Sequence, residues 1–295
     1  MSQTKTGSLG IGRKKLGFDR TMDPEMSSDE VRNSLVSLQK YGFVVLKGVV
    51  DLGRCAEIST ALTQLEKTAL ACKDAGIDFD KHHSVIWNPH YHFPELLLPF
   101  VNLRRVMDVV RQVLQERVVL NVFSATRPLP EQRNNVHIDS RIPISKFENT
   151  IQMLAMICVQ DFTTQNGATR VWPFSHLTGS HPRSIEQRGT ALPGAIQVEA
   201  DAGDVILFLG QTWHEVSPWH SGSERWGLIA YYSRWWVKPY FDYRYCGEEI
   251  FSRLSAEQKE LFGFTSAPPR DAIRRNLTLT EVEDLPAEYS QALNI

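Results

Sequence analysis

The sequence predicts a mainly β protein, a sandwich, barrel or jelly roll with α-helices packed outside it, and three observations support that. Short runs rich in β-branched and aromatic residues fill the middle of the chain, from RVVLNVFSAT to WGLIAYYSRWW, with Gly, Pro, Asn and Asp between them. The first 115 residues read mostly as helix, with apolar residues three and four apart. There is no repeated unit and no regular alternation of helix with strand, so neither a solenoid nor a parallel α/β sheet is indicated.

Taken in order, residues 1–26 carry Gly, Ser, Lys and Arg without apolar periodicity and are expected to be a flexible leader. Residues 27–295 are then expected to form a single domain. Ser27-x-x-Glu30 is a capping-box pattern ahead of Val31, Leu35 and Leu38, which predicts an amphipathic helix ending near Gly42. FVVLKG follows as a short strand, and a second helix is predicted from Leu52 to Ala71. LLLPFVNLRRVMDVVRQVLQ, Leu96 to Gln115, has a helical pattern after Pro99. RVVLNVFSAT, NTIQMLAMICVQ, ATRVW, AIQVEA, DVILFLG and WGLIAYYSRWW supply the β-core. Ser255-x-x-Gln258 opens a last helix, SAEQKELFGF, and the Pro-rich SAPPRD marks its exit.

Composition narrows the function classes. Apolar residues are 42% and charged residues 22%, the balance of a packed globular protein rather than a disordered one. The formal net charge is -2, so the basic excess that binding to a phosphate backbone demands is missing, and nucleic acid is not an expected partner. Cys55, Cys72, Cys158 and Cys246 are far apart with no C-x-x-C spacing, which speaks against a thiolate zinc site or a disulfide framework. No apolar run reaches the roughly 18 to 20 residues that span a bilayer, and the N-terminus lacks an apolar signal core, so no membrane association and a cytoplasmic location are expected. Gly10-x-Gly12 has no preceding strand and no phosphate-loop lysine, and reads as part of the leader.

The chemistry gathers at His137-Ile138-Asp139 in NNVHIDSR. Alternate residues of an extended chain point to one face, so the imidazole and the carboxylate converge where a divalent metal could sit. An H-x-D pair alone is common and says little. The run GDVILFLGQTWHEVSPWHSGSERWGLIAYY adds a buried strand that delivers His214. Two histidines and one carboxylate on one face of an octahedron leave the other positions open, the arrangement by which non-haem iron(II) takes a chelating cosubstrate and oxygen.

With these residues in hand, the chain resembles the phytanoyl-CoA dioxygenase family of iron(II)/2-oxoglutarate oxygenases. The resemblance spans roughly residues 30–265. It lies in the H-x-D pair, in VQDFTTQNGATRVWPFSH, and in the G-D-x-x-x-F run with a histidine and an arginine eleven residues beyond it, His214 and Arg225. LSAEQKELFGF is similar to the tail of members that tailor small molecules. Phe174 stands where the family usually has glycine. The resemblance implies a double-stranded β-helix (jelly roll) core with flanking helices, metal ligation by His137, Asp139 and His214, and a salt bridge from Arg225 to the distal carboxylate of 2-oxoglutarate. It also implies further cosubstrate contacts from Thr169 and Asn134, and no catalytic residue beyond the metal ligands. The cofactors implied are Fe(II), 2-oxoglutarate and O2, and the partner a small, largely apolar molecule of secondary metabolite biosynthesis. Asp139 favours oxygenation over halogenation, because halogenating relatives carry a small residue there.

Other residues compete for attention. His220 is a rival to His214 but stands in a turn-like SPWHSGS segment. His176 and His181 read as turn or surface residues, and Arg141 could meet an acidic or hydroxylated substrate. HHSVIWNPHYHF, with His82, His83, His90 and His92, reads as a loop near the mouth of the site. Tyr231-Tyr232 and Trp235-Trp236 each put one ring on either face of a sheet, mostly as core, though one or two could line the pocket. A zinc-dependent hydrolase could use the same two histidines and carboxylate, and a jelly roll could keep such a metal site without turnover. The hydrolase leaves Arg225 unexplained.

Overall fold

The computed structural model describes residues 24–72, 74–115, 117–129, 135–183, 192–217, 219–220 and 225–268. Apart from residues 24–26, the expected leader lies outside the described residues, as does Asn134.

Helix α1 (Ser28–Tyr41) begins where predicted because Ser27 and Glu30 satisfy each other: the Ser27 hydroxyl accepts from the Glu30 N–H and the Glu30 carboxylate from the Ser27 N–H. Gly42 ends it in the left-handed region, φ 84°, a conformation that costs a glycine little. Strand β1 (Phe43–Leu46) and helix α2 (Leu52–Ala71) follow, the latter capped by the Asp51 carboxylate. The next helix is shorter than its apolar pattern suggested. A turn of helix, α3 (Pro94–Leu97), and a 3-10 segment, Leu98–Asn102, lead to Leu103, whose ψ of 125° breaks the spiral, so α4 spans only Arg104–Leu114.

The remaining strands are β2 (Phe79–Asp80), β3 (Val85–Trp87), β4 (Val118–Thr126), β5 (Gln152–Cys158), β6 (Arg170–Val171), β7 (Ile196–Gln197), β8 (Val205–Leu209), β9 (His214–Glu215) and β10 (Gly227–Arg234). They form a seven-stranded sheet, in the order β1-β8-β5-β10-β4-β3-β2, and a three-stranded sheet, β7-β6-β9. Every pairing is antiparallel. The result is a mainly β jelly roll whose barrel is not closed. Strand β3 lies in the stretch expected to be a loop. Three residues are too few for a visible alternation, and β3 forms because Val85, Ile86 and Trp87 extend the edge beside β4.

The large sheet is buried on both faces, and the period of two sorts its side chains. Leu228, Ala230 and Tyr232 of β10 join Ala155 and Leu207 in the cluster beneath the helices. Ile229 and Tyr231 join Leu154, Met156, Ile206 and Phe208 in the cluster shared with the small sheet. The adjacent tyrosines thus part as expected, Tyr232 donating its hydroxyl to the Val101 carbonyl on the helical side. Each fully buried large apolar side chain contributes roughly 1.5–3 kcal/mol, so the two layers hold the inner face rigid on both sides. Among the described residues no helix is long and apolar enough to cross a membrane. All four cysteines are free.

Candidate metal centre

The segment carrying the H-x-D pair is stitched to the strand carrying the third candidate. His137 N–H donates to the His214 carbonyl at 3.0 Å and His214 N–H returns the bond at 3.1 Å. Two residues on, the Asp139 N–H donates to the Gly210 carbonyl at 2.8 Å. This pairing fixes which side chains point inward. Val136 and Ile138 turn away and pack with Trp172 and Trp213. His137 and Asp139 turn the other way and meet His214, with one ligand atom from each residue lying within 4.8 Å of the others. His214 Nε2 is 3.4 Å from Asp139 Oδ2, and His137 Nε2 is 3.8 Å from Oδ1.

Hydrogen bonds settle the tautomers. His137 Nδ1 lies 2.9 Å from the Asn135 carbonyl and His214 Nδ1 lies 3.0 Å from the Thr212 carbonyl. A carbonyl only accepts, so each Nδ1 carries the proton and each Nε2 presents a lone pair. Burial, and then the neighbouring His214, hold the His137 pKa below its ordinary value, which favours the neutral ring that a metal requires. The His214 ring also stacks on Phe208, at 5.6 Å between centroids and 6° between planes. The carboxylate is divided: Asp139 Oδ1 accepts from the Tyr231 hydroxyl at 2.8 Å, whereas Oδ2 is buried with no hydrogen-bond partner. A buried carboxylate oxygen without a donor is costly. A divalent cation between Oδ2 and the two Nε2 atoms removes that cost, so the donor set fits a metal, and among the described residues no other His, Cys, Asp or Glu group does.

The second feature is Arg225, which is 2% exposed. It lies two, four and six residues before Gly227, Ile229 and Tyr231, and so on the inner face. Its Nη2 donates to the Gly167 carbonyl at 2.5 Å and the guanidinium lies over Phe162, 3.7 Å from the ring centroid. Among the described residues its Nε and Nη1 are buried without partners. Burial pushes its pKa down to about 9, so it remains a cation at neutral pH, and no carboxylate pairs with it among the described residues. The N-G-A-T turn explains its own glycine. Asn166 ties the turn through Thr163 N–H and the Asp161 carbonyl, Gly167 sits at φ 84°, and a Cβ there would stand 3.0 Å from the Ser217 carbonyl oxygen.

The structure therefore brings His137, Asp139 and His214 together and sets Arg225 on the same inner face. Thr169 is buried just before β6, whose Val171 pairs with His214. Asn134 lies outside the described residues. His220 is exposed and outside the cluster. His176, expected at a turn or the surface, is buried in a 3-10 turn and meets the Gln39 carbonyl through Nε2. Phe174 holds φ 67° without a glycine, its ring against Tyr41. The stretch from His82 to His92 is not simply a loop: Val85–Trp87 form β3, and His90 is fully buried among Tyr91, Phe123, Tyr243 and Phe262.

Tyr231 is the residue whose role the sequence left open between core and pocket lining. Its signal was its even spacing, six residues, from Arg225, which on a strand puts it on the inner face. Replacing it with phenylalanine removes the one donor to Asp139 Oδ1 among the described residues. Tyr231→Phe is expected to weaken metal binding roughly 10-fold or more, read by calorimetry with manganese(II), with little change in the thermal midpoint. Unchanged affinity would show that the hydroxyl does not orient the carboxylate.

Comparison with known proteins agrees with this fold. Dioxygenase af480 of Aspergillus fumigatus is 24% identical over 270 residues, covering 83% of each chain. The structure of HygX from Streptomyces hygroscopicus with nickel and 2-oxoglutarate bound is similar in fold, with a TM-score of 0.59 at 16% identity over 73% of this chain and 90% of HygX. So is the epimerase SnoN in complex with Fe3+, alpha ketoglutarate and nogalamycin RO, with a TM-score of 0.54 at 16% identity over 70% of this chain and 85% of SnoN. The family model for phytanoyl-CoA dioxygenase (PhyH) matches residues 38–227, well over half the chain and a span that holds His137, Asp139, His214 and Arg225, and the chain belongs to that family.

Proposed function

We propose that the chain is an iron(II)- and 2-oxoglutarate-dependent dioxygenase of a small, largely apolar substrate. It oxidatively decarboxylates 2-oxoglutarate to succinate, using O2, and couples this to hydroxylation or a related C–H oxidation in natural-product biosynthesis. The observation that carries the proposal is Arg225, a buried cation with unpartnered N–H groups on the same inner face as Asp139. A hydrolytic metal site has no use for it. A cosubstrate with a second, distal carboxylate does, because a planar guanidinium takes a carboxylate through two parallel hydrogen bonds.

In this account His137 and His214 hold the metal through Nε2, and Asp139 holds it through Oδ2 while Tyr231 keeps Oδ1 occupied. Arg225 fixes the far end of 2-oxoglutarate, and Thr169 and Asn134 add contacts along it. When bound, iron(II) supplies the redox chemistry that links cosubstrate decarboxylation to substrate oxidation. The protein excludes bulk water with the apolar inner face around Phe208 and Ile229, and orients the C–H bond to be oxidised. The substrate class follows from that apolar lining and from relatives such as SnoN, whose complex holds nogalamycin RO. Residues 27–295 serve as one catalytic unit in this scheme.

Metal-free protein is expected to release succinate when given iron(II), 2-oxoglutarate and oxygen, and to release none when zinc replaces iron, because only a redox-active metal can reduce oxygen. Zinc-supported turnover at the iron-supported rate would contradict the proposal.

A further inference from the structure

Immediately after Asp139 the backbone takes a conformation that few residues with side chains adopt. Arg141 has φ 56°, and the Ile142 N–H donates back to the Ser140 carbonyl at 2.6 Å. Arg141 is thus the centre of a three-residue turn in its strained, positive-φ form. The turn is held firmly: Asp139 and Ser140 N–H both donate to the Gly210 carbonyl, and the Ser140 hydroxyl donates to the Ile142 carbonyl at 2.8 Å. A glycine would relieve the strain, so the arginine side chain needs its own explanation.

That side chain meets Tyr240. The guanidinium carbon lies 4.9 Å from the Tyr240 ring centroid, and Nη2 donates to the phenol oxygen at 2.5 Å. Tyr240 is itself positioned from the sheet. Its N–H donates to Asn121 Oδ1 at 3.1 Å, and Asn121 is the extra residue of the bulge between β4 and β10, tied to the Ser233 hydroxyl. Arg141, which holds Tyr240, stands two residues after the candidate ligand Asp139, whose Oδ1 accepts from Tyr231. The pair therefore lies beside the metal centre, and it opens outward, since Tyr240 is 65% exposed. Among the described residues no carboxylate pairs with Arg141, and Tyr240 is its only hydrogen-bond partner.

We infer that Arg141 and Tyr240 form an anchoring subsite for a carboxylate, or an equivalent planar oxyanion, on the substrate to be oxidised. The inference rests on the oxygenase reading and narrows its substrate class to an apolar skeleton bearing an acid group. The chemistry is specific. The remaining guanidinium N–H groups can take an oxyanion side-on, and the Tyr240 phenol, accepting from Arg141, has its own O–H left to donate to the same group. The phenol ring and exposed Ile142 give the adjoining carbon skeleton an apolar surface. The two arginines then divide two acids, Arg225 taking the cosubstrate in the interior and Arg141 the substrate at the outer side.

The test uses the iron(II) protein saturated with 2-oxoglutarate under anaerobic conditions. It is titrated with phenylacetate, 3-phenylpropionate and 4-phenylbutyrate and with their primary amides, and the visible band of the 2-oxoglutarate complex is followed. Binding at the subsite shifts the band, whereas competition at Arg225 bleaches it. At least one acid is expected to bind about 10-fold more tightly than its amide. Arg141→Ala should bring that acid to the level of the amide, Arg141→Lys should keep part of the preference, and Tyr240→Phe should lose a few-fold, with iron and 2-oxoglutarate affinities and thermal midpoints unchanged. Absence of any acid preference, or a preference that survives Arg141→Ala, overturns the subsite. Failure of the band to form in the wild type overturns the oxygenase reading instead, and calorimetry of the same acids on wild type and Arg141→Ala then still decides the subsite.

Discussion

Replacing His214 with alanine is expected to abolish iron(II) binding and 2-oxoglutarate turnover, whereas His220→Ala should leave both within about twofold of wild type. The first change removes one of three donors whose Nε2 and Oδ atoms converge within 4.8 Å. It also leaves Asp139 Oδ2, already without a hydrogen-bond partner, facing a hole. Two ligands hold a first-row divalent metal far less firmly than three, and the remaining pair no longer defines one face of an octahedron. His220 is exposed, and its N–H donates to the Gln165 carbonyl, so its imidazole has no part in the cluster. Iron content after dialysis, read beside succinate release, separates the two variants. Iron retained in His214→Ala but lost in His220→Ala would mean that the third ligand is misassigned.

The second large effect is expected at Arg225. A charge-assisted hydrogen bond is worth about 1.5 to 3 kcal/mol, so Arg225→Ala should weaken 2-oxoglutarate binding by roughly 10- to 150-fold. Arg225→Lys should fall between wild type and alanine, because an ammonium restores the charge but not the fork that takes both carboxylate oxygens. Iron affinity should scarcely change, since the guanidinium contacts Gly167 and Phe162 and none of the candidate ligands. Folding is not the confounding factor it would be for a paired buried ion, because removing a buried cation that lacks a counter-charge relieves a desolvation cost. Calorimetric titration of 2-oxoglutarate into the iron(II) forms of all three proteins reads the effect. Wild-type affinity in the alanine variant would remove the reason for assigning the cosubstrate.

Much of this was legible in the sequence, and the gaps have physical causes. Ser27 and Glu30, Ser255 and Gln258, and Gly42 mark helix ends because capping is a local reaction among neighbours in the chain. The inward aim of His137 and Asp139 follows from a period of two, and so does the parting of Tyr231 from Tyr232. What depends on pairing across the fold was not legible. Nothing near Val85 says that it will extend the edge of β4, and nothing near Leu103 outweighs an apolar spacing that runs unbroken into α4. His90 reads as polar in HHSVIWNPHYHF and is buried because three aromatic rings from distant segments, beside the neighbouring Tyr91, close over it. The role of Tyr231 was hidden for the same reason: it depends on Asp139, ninety-two residues earlier.

On the proposed function, the His137, Asp139 and His214 cluster and Arg225 serve one chemistry, that of iron(II) with 2-oxoglutarate. It is tested most directly by adding iron(II) and then 2-oxoglutarate to the metal-free wild-type protein without oxygen, following the visible charge-transfer band, and then admitting oxygen. The account predicts one iron and one 2-oxoglutarate bound per chain, a band that forms only when both are present, and conversion of the bound 2-oxoglutarate to succinate once oxygen enters. Iron binding with no band and no succinate would contradict it.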